Sequence, residues 1–204
     1  MNNLLNIGII LTVYKGDSPR HFMKSVDSLL GQSYSNITIF IGVDGLVEGE
    51  LLICLEEISS KENIRIIKFP VNRGLAAVLN DLLSICLKEG LEYIARMDAD
   101  DISINNRIEN QFKFLISHPE VDVVGGRIEE INEQSERNSK SVTYPLTHQE
   151  CFKFFRYRDP LAHPAVMFRK SFFDKAKGYR NEYRKNQDTM LWFDGFMNGC
   201  IFAN

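Results

Sequence analysis

The chain has 204 residues, 44% of them apolar and 25% charged, with a formal net charge of −3. That balance describes an ordinary globular chain able to bury one sizeable core; it excludes a disordered tail and the strongly basic domain that a broad nucleic-acid interface requires. Cys54, Cys86, Cys151 and Cys200 stand far apart in apolar contexts such as "LLICLEEI", without metal-ligand spacing, and read as buried free thiols of a reducing compartment.

The N-terminal apolar run lacks a basic leader and a small-residue cleavage site, so it reads as a first strand and not a signal peptide. No apolar segment approaches a membrane span, and the expected location is cytoplasmic. "NIGIILTV" (6–13) is a nearly continuous apolar run, as in a buried parallel strand. In "SPRHFMKSVDSLLGQ", Ser18 can cap a helix, Pro19 suits its first turn, Phe22, Val26, Leu29 and Leu30 share a face, and Gly31 ends it. The alternation continues with strand 36–45, helix 48–61, strand 63–70, helix 74–90, strand 91–98, helix 104–120 and the strand "VDVVGG" (121–126). This rhythm implies a mostly parallel central sheet flanked by helices, which binds ligands at the carboxyl ends of its strands. Those ends read "TVYKGD", "VDG", "FPVNRG" and "MDADD". Beyond Gly126 the pattern loosens: a polar strand pair or excursion (127–145), a short helix in "THQECFKFFRYRD", a strand at 165–169 with a short helix after it, a helix opening near Asp188, and a last strand begun by "CIFAN".

Asp98, Asp100 and Asp101 crowd the end of the fourth strand. Asp98 and Asp100 can face one side of a turning backbone and offer hard oxygen ligands to Mg2+ or Mn2+, whose charge would offset their repulsion and neutralise a diphosphate. The alternative is a helix cap with solvated turn aspartates, and Asp101 is the member most readily given to it.

The ordered set "ILTVYKGD", "SVDSLLGQSY", "IGVDG", "VNRGLAAVLN", "MDADD", "HPAVMFRK" and "NQDTMLW" resembles the family 2 glycosyltransferases of GT-A fold, a Rossmann-like α/β fold, and in wording the bacterial enzymes of O-antigen, capsule and exopolysaccharide synthesis. The resemblance implies one GT-A domain over 1–204, with a nucleotide-sugar half (1–126) and an acceptor half (127–204) expected to be cut short at its C-terminus. It implies an inverting transfer from a nucleotide-diphosphate sugar, with UDP favoured, to a saccharide or polyprenyl-diphosphate-linked saccharide at the inner face of the plasma membrane.

Carried over residue by residue, Thr12, Val13 and Tyr14 would meet base and ribose, and Asp44 would accept from the base, uracil fitting an acceptor there. Arg73 and Gly74 would border the nucleotide, with Arg73 either on base or phosphate or simply a solvated loop residue. Asp98, followed by Ala99, would contact ribose or a metal-bound water, and Asp100 would ligate the ion, Mn2+ or Mg2+. Asp188 matches the general base that draws the acceptor proton, although Gln187 stands where an acidic neighbour is common, and it is also a natural helix cap.

His163 and Trp192 read as structural or acceptor-side residues, and "FKFFRYR" as a core face with solvated charges or a contact for an acidic lipid head. Two enzyme rivals are disfavoured. A haloacid-dehalogenase-type phosphatase carries its aspartates on the first strand, and a nucleotidyltransferase needs a glycine-rich loop where "TVYKGDSPR" has only Gly16. A non-catalytic or truncated nucleotide-sugar-binding domain is the rival from another class.

Overall fold

The computed structural model describes residues 5–204. The N-terminal reading is therefore tested from Leu5 onward, and Met1 to Leu4 lie outside the described residues. The first half follows the expected alternation: β1 (Ile7–Val13), α1 (Pro19–Leu30), β2 (Ile37–Asp44), α2 (Gly49–Ile58), β3 (Ile64–Phe69), α3 (Leu75–Lys88), β4 (Tyr93–Met97) and α4 (Arg107–Ser117). The second half holds β5 (Val123–Val124), the hairpin β6 (Ile128–Ile131) and β7 (Arg137–Val142), α5 (His148–Phe154), a 3-10 turn (His163–Ala165), β8 (Met167–Arg169), α6 (Lys170–Ala176), α7 (Gln187–Met197) and β9 (Phe202–Ala203).

One seven-stranded sheet runs β3-β2-β1-β4-β8-β5-β9, with the hairpin apart. Its first four strands are parallel, whereas β8 runs antiparallel to both β4 and β5. The direction changes because β5 is joined to β8 by a long excursion, not by the single crossover helix that imposes parallel pairing. Strand β5 is also shorter than "VDVVGG" suggests. Buried Asp122 is occupied by Ser171 Oγ (2.5 Å), Lys175 Nζ (2.7 Å) and the backbone N–H of Ile201 (2.8 Å).

Period-two alternation divides the core between the two faces of the sheet. Ile7, Ile9, Leu11 and Val13 of β1 join Ile39, Ile41 and Val43 of β2 on the face covered by α1, α2 and α4. Ile10, Phe40 and Ile94 face the other way, onto α3, α6 and α7. On that second face Gly8 and Gly42 let α3 lie close: a Cβ on Gly8 would stand 3.2 Å from Cys86 Sγ, and one on Gly42 would collide with Val78. Trp192 of α7 is wholly buried there, its ring 6.0 Å from those of Phe168 and Phe202. Each such phenylalanine contributes about 1.5–3 kcal/mol on burial. Trp192 is thus a core residue.

All four cysteines are free thiols, Cys54 partly exposed and the others buried. Among the described residues, no helix is long and apolar enough to cross a membrane.

Candidate active site

The same alternation that sorts the core delivers the site. Past Ile10 the second face continues to Thr12, past Phe40 and Gly42 it reaches Asp44, and past Ile94 it reaches Arg96 and Asp98. Register aligns the ends: Leu11 pairs with Met97 and Val13 with Val43. Thr12, Asp44 and Asp98 therefore gather where the apolar strands run out. They line a cavity of about 310 Å³ with Val13, Tyr14, Asp17, Asn72, Gly74, Leu75, Ala99 and Asp100. Of the sequence-derived candidates, Thr12, Val13, Tyr14, Asp44, Gly74, Asp98, Ala99 and Asp100 meet in this one concavity. A second groove, of about 370 Å³ between α3 and α6, is lined by Lys88 and Lys177 and holds no carboxylate.

The loop that carries the aspartates is pinned from α1. Ser25 Oγ donates to the backbone carbonyl of Asp98 (2.8 Å), and Ser28 Oγ accepts from the N–H of Ser103 (3.0 Å). Gln32 Nε2 donates to the carbonyl of Ile104 (2.8 Å), while its Oε1 accepts from the N–H of Ile108 at the start of α4 (3.1 Å). These partners explain the polar residues of "SVDSLLGQ": they hold the turn in place of a regular ladder.

Carboxylate oxygens of Asp98, Asp100 and Asp101 lie within 4.8 Å of one another. Beneath them sits Arg96, 1% exposed, whose guanidinium pairs with Asp98 and leaves Nε and Nη1 without partners. Arg107 lies alongside, donating to the carbonyls of Pro164 (2.9 Å) and Arg96 (3.2 Å). Burial lowers the Arg107 pKa to about 10, with Arg96 adding to the shift and Asp101 opposing it.

Two arginines, Arg96 buried and Arg107 half-buried, thus supply positive charge that sequence reading had assigned to a metal alone. They do not balance the cluster. Burial first, then Asp98 and Asp100, push Asp101 up to about 6 against the pull of Arg96 and Arg107. Asp17 is also raised, by burial first, with Asp100 and Asp98 adding to it and the Tyr14 N–H opposing. Hard oxygens with excess negative charge fit a Mg2+ or Mn2+ ion. Asp101 is accordingly a member of the cluster and not a helix cap; Asn106 occupies the N-cap position of α4.

The nucleotide side is built on Asp44. Its carboxylate accepts from the backbone N–H groups of Arg73 (2.7 Å) and Gly74 (2.9 Å), fixing the strand-to-helix turn where Gly74 has φ +89°. Arg73 itself points along α3, paired with Asp81 and 4.4 Å from the Phe69 ring centroid. Tyr14 is 45% exposed and folds over Gly16, where any Cβ would collide with its ring. Its N–H donates to Asp17 Oδ2 (2.8 Å), so Asp17 closes the turn after β1.

Asp188 lies in the first turn of α7 and is not among the residues that line this cavity. Asn186, in a left-handed conformation at φ +58°, holds the N-cap position, and Asp188 Oδ1 accepts from the N–H of Thr189 (2.9 Å). His163 is buried and shares a 2.7 Å hydrogen bond with the Tyr179 hydroxyl. Burial first, then Arg96, holds the histidine well below its usual pKa, so it is neutral. Burial raises Tyr179, with Asp188 and Asp98 adding to it against Arg96. Both carboxylates therefore lie near enough to this tyrosine to act on it.

Sequence reading missed Asp17, Asn72, Leu75 and Arg96. Asp17, Asn72 and Leu75 stood within quoted motifs, and the period-two alternation of Arg96 with Asp98 was the available signal for the arginine.

An acidic rim on a Rossmann-like sheet, beside a cavity bounded by a glycine-opened helix, is the site plan of a GT-A glycosyltransferase. Residues 9–176 match the model of "Glycosyl transferase family 2", and the chain belongs to that family. It is 28% identical over 94% of its length, and 68% of the relative's, to the Escherichia coli UDP-Gal:alpha-D-GlcNAc-diphosphoundecaprenol beta-1,3-galactosyltransferase. Among solved structures it resembles Staphylococcus aureus TarS 1–349 in complex with UDP-GlcNAc, with TM-score 0.75 at 16% identity over 98% of this chain and 55% of that one. It also resembles the mannosyltransferase PcManGT from Pyrobaculum calidifontis in complex with GDP-Man and Mn2+, with TM-score 0.68 at 13% identity over 97% of this chain and 54% of that one. The chain thus spans just over half the length of these two structures.

Proposed function

We propose that this chain transfers a sugar from a UDP-linked donor to a saccharide or lipid-diphosphate-linked saccharide acceptor, with inversion at the anomeric carbon, in the synthesis of a surface polysaccharide. The observation that carries the reading is the cavity in which Asp98 and Asp100 face Thr12, Tyr14, Asp44 and the start of α3. The relatives that act on or bind UDP-sugars, and the diphosphoundecaprenol acceptor of one of them, support the choice of substrates.

Tyr14 and the backbone of Thr12 and Val13 would hold the base and ribose. Asp44, already fixed by two backbone N–H groups, keeps lone pairs free to accept from an imide N–H of uracil. Gly74 brings the backbone of the α3 N-terminus close to the donor, where unpaired N–H groups favour anionic oxygens. Asp100 and Asp98 would hold a Mg2+ or Mn2+ ion, which when bound supplies Lewis-acid stabilisation of the charge growing on the departing diphosphate. Arg96 orients Asp98 by occupying one of its oxygens and leaves the other for ribose or the ion's water.

Asp188 would take the proton from the acceptor hydroxyl. The new bond joins the acceptor oxygen to the anomeric carbon as the bond from that carbon to the diphosphate oxygen breaks, and one displacement of this kind inverts the centre.

The test is incubation of the protein and Mn2+ with radiolabelled UDP-galactose or UDP-N-acetylglucosamine and a synthetic lipid-diphosphate N-acetylglucosamine, followed by determination of the product anomer. We expect a β-linked product from an α-linked donor, and Asp188→Asn should bind UDP as the wild type does while transferring nothing. Retention of the anomeric configuration, or full transfer by Asp188→Asn, would refute the mechanism. UDP binding without turnover on any acceptor would favour a binding domain instead.

A further inference from the structure

We propose that Asn80 is a positioning residue that couples occupancy of the donor cavity to the placement of Asp188; this rests on the reading of the cavity as a UDP site and of Asp188 as the base. Asn80 closes the stretch "VNRGLAAVLN" and lines the groove between α3 and α6, not the donor cavity, and the resemblance carries no role over to it. Asn80 lies on α3, five residues beyond Leu75, at the cavity's edge. Five residues are about one and a half helical turns. Helix and donor loop are tied together: Arg73 of the loop is paired with Asp81 and stacked on Phe69, and the N–H groups of Arg73 and Gly74 are both bonded to Asp44.

From the second turn of α3 this body grips the acceptor half of the chain. Asn80 Oδ1 accepts from the backbone N–H of Tyr179 (2.9 Å), and Nδ2 donates to the carbonyl of Tyr179 (2.8 Å) and to Asn181 Oδ1 (2.8 Å). One amide side chain therefore satisfies a donor and an acceptor of the same residue 99 positions away, as a strand partner would. The backbone is shaped for this grip. Lys177 is left-handed at φ +70°, Gly178 has φ +113°, and a Cβ on Gly178 would stand 2.7 Å from Asn80 Oδ1.

From Tyr179 the connection reaches α7 by two routes. Its hydroxyl bonds His163, whose ring centroid lies 5.9 Å from that of Trp192 on α7. The next residue, Arg180, forms a two-pronged pair with Asp194 of α7, with Nε to Oδ2 at 2.8 Å and Nη2 to Oδ1 at 2.6 Å. Asp188 stands in the first turn of that helix. A shift of α3 on closing over a nucleotide is thus passed through Asn80 to the segment that aims Asp188. Chains of packed side chains and hydrogen bonds such as this one can carry coupling between sites.

Amide hydrogen exchange of the full chain, with and without UDP and Mn2+, tests the idea without any acceptor. In the wild type, UDP should slow exchange across residues 179–190 by about fivefold, a typical coupling factor. In Asn80→Ala, UDP should bind with unchanged affinity by calorimetry but leave 179–190 unaffected. Asn80→Asp keeps the acceptor for the Tyr179 N–H and loses both donor bonds, so it should fold and show a reduced response. A wild-type segment indifferent to bound UDP, or an Asn80→Ala variant that keeps the full UDP response, would overturn the coupling and leave the UDP site standing. Absence of UDP binding to the wild type would overturn both.

Discussion

Asp101→Asn should make the metal-free protein more stable, although it removes a charged residue from the active-site cluster. The Asp101 carboxyl is raised from its ordinary 3.8 to about 6, chiefly by burial and then by its two aspartate neighbours. A carboxyl raised in the folded state holds its proton where the unfolded chain has released it. Its contribution to stability is therefore greatest below about pH 4 and is lost as pH climbs through about 6. At about 1.36 kcal/mol per pH unit the gap corresponds to an upper limit of ~3 kcal/mol at neutral pH. Partial exposure of the group and solvent screening reduce this to roughly 1.5 kcal/mol. For a chain of this length that is ~3–6 °C in melting temperature. In EDTA at pH 7.5, Asp101→Asn should melt higher than the wild type by that margin, and the difference should shrink toward zero near pH 4. Melting of the variant at or below the wild-type temperature at pH 7.5 would refute the claim that the cluster carries uncompensated negative charge.

Arg96→Met should destabilise the fold by about 1.5–3 kcal/mol in urea denaturation, because it removes the hydrogen-bonded partner of Asp98, whose side chain is 35% exposed. Gly178→Ala should cost about 1–3 kcal/mol, since alanine at φ +113° is strained and its Cβ meets Asn80; the same melting assay reads it. Asp44→Ala removes the acceptor for two backbone N–H groups. It should weaken UDP binding by about tenfold or more in calorimetry, consistent with the ~1.5–3 kcal/mol carried by hydrogen bonds to a charged group.

The alternation of strands and helices through α4 was legible because each strand is a near-continuous apolar run and each helix has its own apolar face. The gathering of Thr12, Asp44, Gly74, Asp98 and Asp100 followed from strand ends alone. What sequence could not give was the second half's direction: β8 inserts antiparallel between β4 and β5, a pairing made across long sequence separations with no crossover helix to announce it. Arg96 was hidden because an arginine inside "YIARM" looks like an interruption of a strand. It is visible as a counter-charge only once alternation places it on the same face as Asp98. Asp101 was misjudged for a related reason, since turn preference speaks for exposed aspartates and the half-buried setting comes from Arg107 and α1 closing around the loop. His163 and Tyr179 are 16 residues apart, and their hydrogen bond has no local signature.

The central claim is that the Asp98–Asp100 rim binds a divalent cation together with the donor's diphosphate. Calorimetric titration of UDP into the protein in Mn2+ and then in EDTA tests it most directly, with Asp100→Asn measured beside the wild type. The account predicts binding that Mn2+ strengthens and that both chelation and the substitution weaken sharply. UDP affinity indifferent to metal and to Asp100 would contradict it.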